Sequence, residues 1–541
     1  MALPVSVRLP VTRLELRRNA RAAGRSRRVA RHGFLADVAP VTVPQSRVHI
    51  GGRFNWMSDP SLTEPNPVTE SYHELHRALG PVSLIMIGIG SIIGAGIFVI
   101  AGTAAAEHAG PAVIISFLIA ALGCLFAGLC YAEFASMIPE SGSAYTYAYA
   151  TMGRTMAWFI GWNMVLEYLV SASTVSVGWS GYFVSFLKGV GIAFPAEWAN
   201  APVTGTSFSA IHLSGAYMNL PAVVLIALLT AFLVVGVSES ARVNALMVMI
   251  KTAIVLLVIL VGLPYVKSSN LHPFIPPNAG TFGKFGVSGI FAASGMIFFA
   301  YIGFEAVSVA ALEAKNPRRD LPIGILGSLA ICTLLYIGMA VVLTGITDWR
   351  SLDVANPVSF AIGRIRALGW LVPLVDVGAM VGLASVVFVS LYGQSRVFYS
   401  MARDGFLWPV FSKVHSRFRT PHRGTIITGI FAALLGAVFP LDILAELVSV
   451  GTLLAFVAVC GGIMILRVTT PKAKRSFRTP AVWLVAPAGV VTCLVMMASL
   501  FQSSPDTGSR LVLWTLLGMV IYGVYGVWHA APSKWKIANG D

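Results

Sequence analysis

The sequence predicts an all-α integral membrane protein of about twelve transmembrane helices, and three observations carry that prediction. The chain has 541 residues, of which 56 % are hydrophobic and 11 % charged, with a mean hydropathy of +0.77. A soluble domain carries roughly a quarter charged residues. Apolar stretches of about 20 residues, the length that crosses a bilayer, recur between short polar joints. Two of these stretches, the first and the sixth, are interrupted by glycine where a continuous helix would avoid it.

The apolar stretches run at 82–106, 112–137, 155–187, 219–237, 243–265, 286–311, 322–346, 368–395, 424–440, 443–466, 481–501 and 511–530. Helices are expected because a backbone in lipid must satisfy its own hydrogen bonds. The stretches are too uniformly apolar for barrel strands, which alternate. The ninth and tenth are separated by little more than Pro440 and Asp442. Cys124, Cys130, Cys332, Cys460 and Cys493 all sit inside apolar runs and read as small hydrophobes. With no CxxC or HExxH spacing, neither a metal nor a cofactor is expected.

Residues 57–81 read as a cytoplasmic segment and 82–535 as the membrane domain. The extension at 1–56 differs in kind: residues 1–53 hold eleven Arg and no Lys. It reads as a disordered arm, as a basic surface for anionic lipid, as an organelle-targeting peptide, or as sequence upstream of a true start at Met57. The net charge of +15 follows a topology instead of forming a patch, so nucleic acid is not an expected partner. Connections after even-numbered stretches hold sixteen Lys and Arg, against seven after odd ones. That excess places the even connections and both termini in the cytoplasm of a plasma (inner) membrane protein. Homo-oligomerisation is left open.

The first interruption reads Gly88-Ile-Gly-Ser-Ile-Ile-Gly-Ala-Gly96, with four glycines in nine residues, and the sixth reads Phe298-Phe-Ala-Tyr-Ile-Gly-Phe-Glu305. Unwinding at mid-membrane is tolerated where the chain lines a protein-walled cavity. Freed N–H groups at the start of a half-helix suit a carboxylate, and freed carbonyls suit an ammonium. Together they match a zwitterionic α-amino acid. Close packing of small residues is the plainer explanation of a glycine motif. Here, however, the breaks stand five helices apart, the signature of an inverted five-plus-five repeat followed by two C-terminal helices.

Ile89–Phe98, Tyr131-Ala-Glu-Phe134 followed by Ile138–Tyr147, Phe298–Glu305 and Glu313–Pro322 resemble the amino acid–polyamine–organocation superfamily. Within it they resemble the cationic amino acid transporter family in its shorter bacterial form, from about residue 75 to 535. The resemblance implies a permease and not an enzyme. It implies that the N–H groups of Ala95, Gly96 and Ile97, beside Gly94, bind the substrate carboxylate. It places the amino group on the carbonyls of Ile92, Phe299 and Ile302, beside Gly303. Phe299 and Tyr301 are candidates to gate or floor the pocket, and Leu383 and Ala384 to bound its side-chain end.

Lys251 lies in an otherwise apolar helix, about nine residues or 13 Å from Arg242 at 1.5 Å per residue. An ionisable group at that depth is a functional candidate, although snorkelling lysines are common near helix ends. In sodium-coupled relatives of this architecture a cation bridges the first and eighth helices. The resemblance puts the Lys251 ammonium in that place, with protonation replacing sodium. The expected activity is therefore proton-coupled amino acid symport, with a sodium-coupled or exchange-type amino acid or polyamine transporter as the alternative. Glu305 is a second proton-coupling candidate, and Glu167 a pocket or relay acid. Glu133 and Asp376 are assigned local hydrogen bonds or gate contacts. A channel would not need paired breaks, and no soluble output domain of a receptor fits between the stretches.

Overall fold

The computed structural model describes residues 79–138, 143–204, 212–235, 241–309, 314–416, 418 and 420–530. The expectations for 1–56 and for most of 57–81 lie outside these residues, as do Glu313 and the centre of the 138–147 motif. Helices fill the apolar stretches: α1 (Pro81–Ile92), α2 (Val113–Met137), α3 (Ser143–Thr151), α4 (Arg154–Val165), α5 (Ser171–Gly189), α6 (Leu220–Val235) and α7 (Ala241–Gly262). They continue with α8 (Gly286–Ile297), α9 (Pro317–Ile346), α10 (Val372–Arg403), α11 (His422–Val438), α12 (Leu441–Thr469), α13 (Val482–Ser503) and α14 (Pro505–Ile521). A two-residue strand pair, Val203–Thr204 with His212–Leu213, is the one sheet among the described residues.

Among the described residues, eight helical runs are long and apolar enough to cross a membrane, and α1, α6 and α11 are apolar but shorter. The molecule is thus an all-α multi-pass membrane protein. The expected third stretch is helical from Arg154 to Gly189, joined by a π-turn at Leu166–Val170. It falls outside the eight because α5 is rich in Ser and Thr. Several of those hydroxyls are satisfied inside, as buried polar groups generally are: Ser173 donates to Ala432 O (2.9 Å), Thr174 to Val170 O (2.8 Å) and Ser176 to Ser173 O (2.7 Å). All five cysteines are buried and free.

Candidate functional site

α1 starts with Pro81 in its first turn, where a missing N–H costs nothing. It stops at Ile92 because Ile93 turns extended (φ −71°, ψ 101°), and the chain resumes as a π-turn at Gly96–Ile100. The first bond after the break runs from Phe98 N–H to Gly94 O, at 3.5 Å. The N–H groups of Ala95, Gly96 and Ile97 stand ahead of it, as the first turn of any helix leaves them. On the other side of the break, the carbonyls ending α1 meet a cation. Lys251, fully buried on α7, donates to Gly90 O and to Ile93 O (3.0 Å), with Ser385 Oγ of α10 at 3.4 Å. Ser385 donates its own proton to Gly382 O (2.7 Å), which leaves its oxygen free to accept. An ammonium at a helix C-terminus is favoured by charge and by orphan carbonyls together.

The sixth stretch breaks differently. α8 tightens into a 3₁₀ turn at Phe298–Tyr301, Ile302 is extended (φ −60°, ψ 135°) and Gly303 takes φ +119°. The Gly303 N–H donates to the Glu305 carboxylate at 2.9 Å. The two breaks cross each other, and glycine makes the crossing possible. A Cβ on Gly96 would lie 2.2 Å from Ala300 Cβ, and one on Gly303 would lie 2.6 Å from Ser91 O. Tyr336 of α9 ties them together: its hydroxyl lies 2.9 Å from Ile92 O and 2.7 Å from Ala300 O, and its single proton serves one at a time.

Between the breaks is a narrow cavity of about 40 Å³, room for a few water molecules. Ile92, Gly94, Ala95, Gly96, Phe299, Ile302, Gly303, Glu305 and Glu167 all line it. Ile97, Tyr301, Leu383 and Lys251 do not. Ile97 and Leu383 are sealed in the core, and the Tyr301 hydroxyl points to Phe117 O at 3.1 Å. In place of Leu383, α10 turns Val386, Val389 and Ser390 to the cavity, facing Ser171 and Val175 of α5. Two of the carbonyls expected to hold an amino group already accept one donor each. Ile92 O takes Tyr336, and Phe299 O takes the Ile302 N–H at 3.3 Å. Each keeps a second lone pair.

Several features were not visible to sequence reasoning. The π-turn at Leu166–Val170 aims Glu167 and Tyr168 at the cavity, a common use of such turns. The buried Glu167 carboxyl stands close enough to that of Glu305 for the two to interact. Asp376 does not serve its own helix: it accepts from Ser185 (2.9 Å) and Ser359 (2.5 Å) at the wall of a second, wider cavity of about 1140 Å³. Glu133 likewise bonds far along the chain, to Arg467 and Arg475.

A buried cavity held by two crossing helix breaks inside an all-α membrane domain belongs to a transporter. The chain matches the family model "Amino acid permease" over residues 79–524, and it is a member of that family. It is 44 % identical to the branched-chain amino acid permease BcaP of Bacillus subtilis, over 88 % of this chain and 98 % of that protein. It is 43 % identical to the methylthioribose transporter of the same organism, over 85 % and 95 %. It is 37 % identical to the vacuolar cationic amino acid transporter 4 of Arabidopsis thaliana, over 74 % of this chain and 64 % of that one. These relatives are permeases, and so is this protein; it is not an enzyme.

Proposed function

We propose that this permease is a plasma-membrane symporter that carries an amino acid together with a proton. It would do so on twelve spanning helices arranged as an inverted five-plus-five repeat, with both termini in the cytoplasm. The observation that carries the coupling is Lys251, a buried ammonium that links the carbonyl end of α1 to Ser385 on α10. Protonated, it closes the first break against α10. On losing its proton it releases those carbonyls, and the site loosens towards the inside.

The cargo carboxylate takes the N–H groups of Ala95 and Gly96. Its ammonium takes the carbonyls of Ile92, Phe299 and Ile302, and Phe299 gates the pocket. Glu305 is next in line to handle the proton, with Glu167 beside it. At identities above 40 % the relatives carry either an amino acid or a thio-sugar by name, so overall similarity does not choose the cargo. The aliphatic wall of Val175, Val386 and Val389 favours a neutral, apolar side chain, in keeping with the branched-chain relative.

The test is uphill uptake of radiolabelled amino acids into proteoliposomes, under an imposed inward proton gradient and without sodium. Lys251→Met cannot acquire the bridging charge, and Lys251→Arg cannot shed it. Both should lose accumulation while facilitated exchange persists. Accumulation by the Met variant equal to the parent's would make Lys251 structural.

A further inference from the structure

Glu133 is wholly buried near the C-terminal end of α2, the end that the proposed topology places on the inner side. Its Oε2 accepts Arg467 Nη2 and the Thr479 N–H, each at 2.8 Å, and its Oε1 accepts Arg475 Nε at 3.1 Å. Arg475, with its side chain 1 % exposed, gives its remaining N–H groups to four carbonyls. These are Leu466 (3.3 Å) and Thr470 (2.8 Å) at the end of α12, and Pro471 and Ala473 (3.0 Å each) beyond it. The 470–481 connection is therefore folded around one guanidinium and fixed to one carboxylate. Two further bonds fasten it to α2: Phe477 N–H to Ser136 Oγ (3.2 Å) and Thr479 Oγ1 to Leu129 O (3.0 Å).

We infer that Glu133 is a positioning residue of the transport cycle, which fastens the inner ends of α2, α12 and α13 into one body that moves without internal change. Surface ion pairs break and re-form readily. Here the carboxylate is buried and every partner is hydrogen-bonded, so separating them would strand charges without water. The consequence reaches the site along the chain: the helical turns that follow the first break run from Gly96 to Ala109, turn at Gly110 (φ +58°) and enter α2 through the short Gly110–Ala112 connection. The first part carries the N–H groups of the first break and α2 carries Glu133. The half-helix after the break is therefore tied by three residues to the body that Glu133 fastens. α1 lies on the far side of the break and is left as the mobile part.

This inference rests on the permease function and not on the identity of the coupling ion. It is tested on the full chain in liposomes with whichever of the twenty amino acids the parent takes up fastest. Glu133→Gln and Arg475→Met should each lower the maximal rate about tenfold, with the half-saturating concentration within about threefold of the parent's. The double variant should be no worse than either, since the two groups act as one unit. A second measurement needs no change at Glu133. Spin labels on Met137→Cys and Lys472→Cys should keep one distance with and without substrate, while a label on Val82→Cys moves relative to Met137. In Glu133→Gln the Met137–Lys472 distance should broaden. A substrate-dependent change of that distance in the parent overturns the inference. So does a Glu133→Gln variant of normal rate, or one whose affinity falls in step with its rate while the distance stays sharp.

Discussion

At the first break the exposed backbone is met by a base, Lys251, whereas at the sixth it is met by an acid, Glu305. The difference follows from which end of a helix each break uncovers. α1 ends in orphan carbonyls, which attract an ammonium. The sixth stretch turns through Gly303 and frees an N–H, which a carboxylate takes. Each break thus neutralises one kind of backbone group internally and leaves the other kind for the cavity. The first leaves N–H groups at Ala95 and Gly96, and the sixth leaves lone pairs on Phe299 and Ile302. A zwitterion is complementary to that pairing.

The strongest way to break this arrangement is to prevent the crossing. Gly96→Ala and Gly303→Ala should each abolish substrate binding, measured by equilibrium binding of radiolabelled amino acid to purified protein. The new Cβ of the first would stand 2.3 Å from the Ala300 Cα. The second adds a left-handed backbone, φ +119°, to a 2.6 Å approach to Ser91 O, a conformation that costs a residue with a side chain about 1–3 kcal/mol. Gly94→Ala is the control in the same cavity wall. Its nearest neighbour is Val386 Cγ2 at 3.2 Å, a side chain that can shift, so binding should fall by only a few fold. Equal loss in all three would mean that cavity volume, and not the crossing, sets the requirement.

A smaller effect separates the two charges. Glu305→Gln keeps an oxygen to accept the Gly303 N–H, so the sixth break should hold its shape and binding should persist within about fivefold, the scale of one altered hydrogen bond. Proton-driven accumulation should drop, and the pH profile of uptake should flatten. At the first break, Lys251→Met removes the donor from Gly90 and Ile93 altogether, and two buried carbonyls lose a partner at about 1–3 kcal/mol each. The lysine variant should therefore be less stable to heat than the glutamate variant. The reverse order would show that Glu305, not Lys251, holds the breaks in place.

The breaks, and the lysine behind one of them, were legible in the sequence because their signals are local: glycines at close spacing and one charge in an apolar run. What faced the cavity from α10 was not. Leu383 and Val386 are alike to any hydropathy scale, and only the rotation of α10 against α5 decides which is core and which is wall. Glu167 was visible as an acid, but the π-turn that aims it leaves no mark in the sequence. Glu133 reads from the sequence as an acid for local hydrogen bonds or a gate contact, and spacing alone does not pair it with Arg467 and Arg475, which lie beyond several intervening helices.

The finest test concerns the hydroxyl that joins the two breaks. Tyr336 and Tyr301 are neighbours, with ring centroids 5.3 Å apart, and both are wholly buried. Tyr336 bonds to Ile92 O and Ala300 O, one carbonyl from each break, while Tyr301 bonds to Phe117 O on α2, away from the cavity. Removing either hydroxyl deletes the same chemistry and should cost about 1 kcal/mol of stability. Only the first deletion reaches the cargo. Tyr336→Phe frees the α1 end from the sixth stretch, and about 1 kcal/mol of lost preorganisation weakens binding roughly fivefold. Tyr301→Phe should lower the melting temperature by a similar amount and leave affinity unchanged. Equal affinity losses in the two variants would mean that the breaks are held by general packing around α9, and that the Tyr336 hydroxyl carries no special share.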